Sequence, residues 1–357
     1  MRALEYQVEA ARTSRINWKN RNGPDLALLG IIGELGSLAS AIKKHFRDKE
    51  AYAEFEGHVT EELGDILWYL TTSASQLNLR LEDWPKRGTA FESSHQGVYS
   101  VYTKLTSLIR EREELLSEKT PEEQTSKAII LEIIFDMQGI AQLLGTDLDK
   151  IARSNCDKIL SYWCDMSDQM PARKFDSGFP DYERLPRQFE IEFVKAREGR
   201  SMLIMMNGIA LGDRLTDNSY QDDGYRFHDV FHLAGVATLG WSPVIRRMLK
   251  RKRKTNPTVD EVEDGARAAI IEEAIINHIY DYARPTFLQG AKRVDLDLIK
   301  RIQSLVKGYE VEECEPWEWQ DCILKSYRIF RQLREVGEGT LIIDAETRSI
   351  ELKVPEN

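Results

Sequence analysis

Apolar residues recur three and four apart through roughly the first 165 positions, and that period admits only helices that bury one face. Six segments carry it: "YQVEAARTSRINW", "PDLALLGIIGELGSLASAIKKHF", "EGHVTEELGDILWYLTTSASQLN", "SHQGVYSVYTKLTSLIREREELLSE", "PEEQTSKAIILEIIFDMQGIAQLLG" and "DLDKIARSNCDKILSYWCDM". Pro24 stands where a first helical turn tolerates it. The pattern stops at "MPARKFDSGFPDYERLPRQ", whose Pro171, Pro180 and Pro186 read as a linker. Beyond it "FEIEFVKA" alternates like a half-buried strand, "SMLIMMNGIAL" reads as a second, and "TLIIDAETRSIELKV" as a hairpin. Helical patterns lie between them: "YRFHDVFHLAGVATLGW", "PVIRRMLKRKRK", "TVDEVEDGARAAIIEEAIINHIYDYA" and "DLDLIKRIQSLVKGYE". The expected fold is mainly α. An all-α helical bundle over 1–168 and a linker over 169–187 precede an α+β domain with a small antiparallel sheet over 188–357.

An internal echo runs through the helical half. "DILWYLTTSASQLNLRLEDW" (65–84) and "EIIFDMQGIAQLLGTDLDKI" (132–151) share an apolar helix, a break, then a leucine beside acids. Two readings stand: a duplication that packs two helical hairpins as a pseudo-dimer, or two unrelated helices of similar period.

Charge and cysteine usage exclude several classes. With 49 Lys and Arg against 59 Asp and Glu, the formal net charge is −10, the wrong sign for a general nucleic-acid binder. "AIILEIIF" is cut by Glu132, so no apolar run is expected to span a membrane. "MRALEYQVEAARTSR" lacks the apolar segment of a signal peptide. The cysteines, Cys156/Cys164 and Cys314/Cys322, form no CxxC and read as reduced thiols of a cytoplasmic protein.

The second predicted helix carries Glu34 in an apolar setting, with Ser37 one turn later. The third carries Glu61, Glu62 and Asp65. Residues three or four apart share a helix face, so neighbouring helices would bring these carboxylates together. Burying them unpaired costs several kcal/mol each, an order-of-magnitude figure that a bound cation offsets. Oxygen donors without thiolate or imidazole select a hard ion, Mg²⁺ or Mn²⁺, which also bridges phosphates.

"GIIGELGSLASAIKK" followed by "EELGDILWYL" resembles the MazG-type all-α nucleoside triphosphate pyrophosphohydrolases, whose signature is Glu-x-x-Glu on one helix and Glu-x-x-Asp on the next. Glu34 matches the first Glu, and Glu62 and Asp65 match the second pair. Gly33, Gly36 and Gly64 are expected to let helices approach closely. "LDKIARSNCDKILSYW" resembles the closing helix, with Asn155 and Lys158 at its Asn-x-x-Lys positions. The resemblance implies cleavage of NTP or dNTP to nucleoside monophosphate and pyrophosphate, and a dimer or larger assembly, a partner the internal echo could replace. Under it Glu34, Glu62 and Asp65 hold Mg²⁺, and Glu61 is a ligand or a base. Lys43, Lys44 and Lys158 are candidate phosphate contacts; Trp18 and Trp68 are candidates to flank the base. Ser37 departs from the pattern, since it stands where the family has its second Glu. An alternative follows: a nucleotide-sensing module with a degenerate metal site.

A third reading places metal-dependent phosphohydrolase chemistry in the second half. There His228 and His232 lie four apart and Asp229 follows the first. With Glu263 and Glu273 they form a candidate second site for a transition metal, or else a buried polar network. The basic run "RRMLKRKRK" reads as a solvated helix end or a phosphate contact.

Overall fold

In a computed structural model, the chain's contacts divide it into two units, 1–160 and 161–357. The structure describes residues 1–20, 22–86, 91–116, 123–162, 170–196, 201–220 and 222–355. Cys164 lies outside them.

The first unit is all helical: α1 (Ala3–Thr13), α2 (Gly23–Asp48), α3 (Phe55–Gln76), α4 (Ser94–Leu116), α5 (Glu123–Leu143) and α6 (Leu148–Tyr162). Pro24 opens α2 at its first turn, where its missing N–H costs no bond. α2 and α3 form one hairpin and α4 and α5 a second; α2 also meets α4, and α3 meets α5. The core is the stripe that the period predicts: Ile31, Leu35 and Leu38 from α2, Leu63, Ile66 and Leu67 from α3, Ile133 and Met137 from α5. By length and composition alone α2 is apolar enough to cross a membrane, which corrects the expectation of no such run. Leu26, Leu29 and Ile32 on its outer side are exposed, while its other face is buried within the bundle.

The echo has a structural limit. After α3 the chain runs through Leu79–Lys86 without helix or strand, whereas the corresponding segment after α5 opens α6. Nor does the second hairpin repeat the acidic set. Its buried Asp136 is ion-paired with Lys104 and accepts from Ser100 Oγ at 2.6 Å.

The second unit is α+β. Five antiparallel strands, β1 (Gln188–Lys195), β2 (Met202–Met206), β3 (Ile209–Leu215), β4 (Gly339–Asp344) and β5 (Ser349–Lys353), lie in the order β3-β2-β1-β4-β5. β1 pairs with β4 through Ile191↔Leu341 and with β2 through Phe193↔Ile204. Alternation sends Phe189, Ile191 and Phe193 inward and leaves Glu190 and Glu192 outside. The single strand expected in "SMLIMMNGIAL" is two. Asn207 (φ 53°) and Gly208 (φ 76°) turn it back on itself, both in the left-handed region that a tight hairpin requires.

Around the sheet lie α7 (Asp229–Leu239), α8 (Pro243–Met248), α9 (Pro257–Val262), α10 (Ala266–Ala283), α11 (Leu296–Leu305) and α12 (Pro316–Val336). α7 is buried along its whole length, packing on α12, β4 and β5. It ends at Gly240 (φ 70°), where a Cβ would meet the Arg173 carbonyl oxygen at 1.8 Å.

The segment read as a linker is no tether. Asp176, Glu183 and Leu185 are buried, and Ala172 donates to the Ala345 carbonyl at 2.8 Å. The basic run is solvated only in part: Arg247, Lys250 and Lys254 are exposed, while two of its arginines are structural. Arg246 and Arg253 are each 1 % exposed, bonded to Asp176 and Asp264 at 2.7 Å, and Arg253 also holds Glu310.

Candidate functional site

The α2–α3 hairpin brings Glu34 against Glu62, with Glu61 and Asp65 on the same stretch of α3. The buried residues between them, Leu35, Leu63 and Ile66, fix the two helices, so the acids sit at the rim of a dry seam. Burial first, then the hydrogen-bonded Glu34 carboxyl, then the charges of Asp65 and Glu61 push the Glu62 carboxyl up to about 8. Two carboxyls in contact share a proton or a cation, and here the strongest charges acting on Glu62 are all negative.

α6 closes the opposite side. Lys158 Nζ lies 2.7 Å from Asp65 Oδ2 and 3.2 Å from Glu61 Oε1. Asn155 Nδ2 donates to Asp65 Oδ1 at 2.7 Å, while the Asn155 carbonyl accepts from the Tyr6 hydroxyl at 2.7 Å. Tyr6 and Asn155 are buried, so α1 fixes the amide, and the amide fixes Asp65. The Asn-x-x-Lys spacing thus turns both side chains onto α3.

Of the expected glycines, Gly64 does what was predicted: a Cβ there would meet Asn155 Cβ at 2.9 Å. Gly33 and Gly36 do not, since nothing lies within 4 Å of an added Cβ. Gly30 takes that part, its bare backbone facing the Tyr69 ring, which a Cβ would meet at 2.2 Å. Burial raises the Tyr69 phenol, helped by Glu34 and Asp65, which places the ring beside the acids.

The structure places the remaining sequence candidates on α2, on α3 and in the turn before α2. Ser37 is exposed on α2, one turn beyond Glu34. Lys43 and Lys44 are exposed near the end of α2, with Lys44 Nζ 6.0 Å from the Tyr52 ring centroid. Tyr52 in turn feels Glu62, after its own burial. Trp68 Nε1 donates to Thr13 Oγ1 at 3.2 Å, and Trp18 is half-buried in the turn before α2. Tyr6 and Tyr69 were missed; each occupies an ordinary apolar position in its helix, and the pattern carries no mark of a polar duty.

The second cluster lies at the start of α7. One donor atom from each of His228, Asp229 and His232 falls within 4.8 Å of the others, and all three residues are buried. His228 Nδ1 is 2.9 Å from the Tyr225 carbonyl oxygen, and its Nε2 is 3.2 Å from Asp229 Oδ1. His232 Nδ1 is 2.7 Å from Glu272 Oε1, and its Nε2 is 3.3 Å from Glu273 Oε1. Both carboxylates thus pair with the ring, one on each nitrogen. Burial opposes charge on His232, yet Glu272, Glu273 and Asp229 together raise its pKa well above the usual imidazole value.

Glu263 is a correction. The helix expected across 258–283 breaks between α9 and α10, and Glu263 lies in that break. Its Oε2 accepts from the Glu310 backbone N–H at 3.2 Å, beside the Arg253 network. Glu272 takes its place at the histidines.

Comparison with known proteins bears on the second unit most directly. Residues 170–356 match the model of the MazG C-terminal domain. A stretch of 88 residues is 34% identical to the Gene 37 protein of Mycobacterium phage L5, covering 23% of this chain and 77% of that protein. No solved structure matches the chain. The domain match takes in more than half of the sequence, and the chain belongs to the family defined by the MazG C-terminal domain.

Proposed function

We propose that the first unit hydrolyses nucleoside triphosphates between the α and β phosphates, using a hard divalent ion, Mg²⁺ or Mn²⁺, held by Glu34, Glu62 and Asp65. The observation that carries this reading is Glu62, packed against Glu34 between two helices: burial first, then Glu34, Asp65 and Glu61, push its carboxyl up to about 8, and a cation there would relieve both. The donor set fits such an ion, being oxygen only, anionic and anchored on two packed helices. Membership of a MazG-named family agrees with a nucleotide substrate. When bound, the ion would polarise the phosphoanhydride and acidify water.

The protein's own residues supply the rest. Tyr6 and Asn155 orient Asp65. Glu61, held by Lys158, stands ready to take the proton of the attacking water. Lys158 is ion-paired with Asp65 and Glu61, so it eases the repulsion on Asp65 and can turn to meet the triphosphate. Lys43 and Lys44 extend that positive edge, and Trp18 and Trp68 border the base.

The test is a panel of NTPs and dNTPs with Mg²⁺ in ¹⁸O-enriched water, products resolved by mass. The reading requires nucleoside monophosphate and pyrophosphate, and the label then shows which of the two phosphorus atoms, α or β, the water attacks. Release of orthophosphate alone contradicts it. Nucleotide binding without turnover, with turnover gained on Ser37→Glu, would instead establish a sensor with a degenerate site.

A further inference from the structure

We propose that the second unit binds one divalent transition-metal ion, Mn²⁺, Fe²⁺ or Zn²⁺, through His228, Asp229, His232 and Glu273. The inference is independent of the hydrolase reading.

Each histidine has its Nδ1 engaged outside the cluster and its Nε2 turned into it. His228 Nδ1 faces the Tyr225 carbonyl at 2.9 Å, and His232 Nδ1 faces Glu272 at 2.7 Å. Glu272 is itself anchored, since its other oxygen accepts from the Val244 backbone N–H at 2.9 Å. A carbonyl or carboxylate behind a histidine is the usual device that fixes the ring for a metal.

One donor atom each from His228, Asp229 and His232 lies within 4.8 Å of the others, Glu273 stands beside His232, and neighbouring atoms have ligand spacing. Two ligands at right angles around an ion, with bonds of about 2.1 Å, lie about 3.0 Å apart. His228 Nε2 to Asp229 Oδ1 is 3.2 Å, and His232 Nε2 to Glu273 Oε1 is 3.3 Å. His232 is 0 % exposed, with Nδ1 held by Glu272 at 2.7 Å and Nε2 facing Glu273 at 3.3 Å. An ion between Nε2 and the carboxylates would take over the second of these contacts and leave the first to fix the ring.

The chemistry of the donors chooses the ion. Two imidazoles with two carboxylates suit first-row transition metals, whereas Mg²⁺ and Ca²⁺ take oxygen alone. The Tyr225 ring stacks on His228 at 4.4 Å and 8°, which walls one side. The Glu273 side chain is 45 % exposed and leaves a way in.

The test uses the full chain, stripped with chelator, loaded with Zn²⁺ alone and desalted, with Glu62→Gln as the control that disables the acidic site of the first unit. One Zn²⁺ per chain should persist in both wild type and Glu62→Gln. Glu273→Gln should weaken binding about tenfold and His232→Gln about a hundredfold or more. The Mn²⁺-loaded wild-type chain should show ¹⁴N couplings in pulsed electron paramagnetic resonance, a readout that needs no variant to fold. Zn²⁺ lost on desalting from wild type overturns the proposal and leaves a histidine–carboxylate ion network. So does Zn²⁺ held equally by Glu273→Gln, or a Mn²⁺ spectrum without ¹⁴N.

Discussion

Glu62 ties the charge of the site to the stability of the chain. Its folded pKa of about 8 exceeds the ordinary carboxylate value of 4.5, so the folded state holds this proton more tightly than the unfolded one. The stabilisation is present in full below the ordinary value and is lost as pH rises through about 8. Denaturant melts of the metal-free chain should therefore show stability falling between pH 5 and 8 on account of this group. Glu62→Gln should flatten that part of the profile, and Mg²⁺ should restore wild-type stability at the alkaline end; a slope unchanged by Glu62→Gln contradicts the assignment. Ser37 tests the same residue scale from the other side. Ser37→Glu adds an anion one turn from Glu34, and Mg²⁺ titration calorimetry should show affinity rising by about tenfold, or ~1.4 kcal/mol. The acids were legible because carboxylates in an apolar helical period need a reason. The glycines were legible only in part. A sequence does not say which side of a helix meets a neighbour, and Gly33 and Gly36 face open space while Gly30 meets Tyr69.

α6 exists, in this account, to hold α3's acids. Asn155→Ala would leave the Tyr6 hydroxyl and Asp65 each short of a buried partner, costing about 1–3 kcal/mol in denaturant melts. It should also lower turnover with Mg²⁺, and an unaltered rate would deny Asn155 its positioning part. In the second unit, Arg253 is the strut between α9–α10 and the chain before α12, bonded to Asp264 and Glu310. Arg253→Met should destabilise by about 3–5 kcal/mol, because it strands buried carboxylates; a surface-like change of a few tenths would show that the pair is solvated. Here the sequence misled. A run of basic residues looks like a wet helix end until the partners at Asp176, Asp264 and Glu310, far along the chain, come to meet it. The same distance hid the break between α9 and α10, which carries Glu263 away from His232. β3 was hidden by the shortness of its turn, and by outward residues that do not alternate. The helix "PWEWQDCILKSYRIFRQLREV" went unread, although Glu315 and Glu318 form a capping box at its start.

At the scale of the molecule, the switch of period near residue 170 marks a real change of architecture, from helices alone to helices on a sheet. The Pro-rich stretch at that switch packs into the second unit rather than joining two bodies. Each unit has its own apolar core, so the chain spanning 161–357 should fold alone and melt cooperatively by circular dichroism. A fragment that stays unfolded would refute that independence. If the acids of α2 and α3 act together on a nucleotide, pyrophosphate release is the readout that depends on both helices. With saturating Mg²⁺ and an accepted NTP or dNTP, the wild-type chain should release pyrophosphate steadily, and Glu62→Gln should lower the rate by roughly a thousandfold, the scale of losing electrostatic stabilisation of a transition state. Equal rates from the wild type and Glu62→Gln would contradict that joint action.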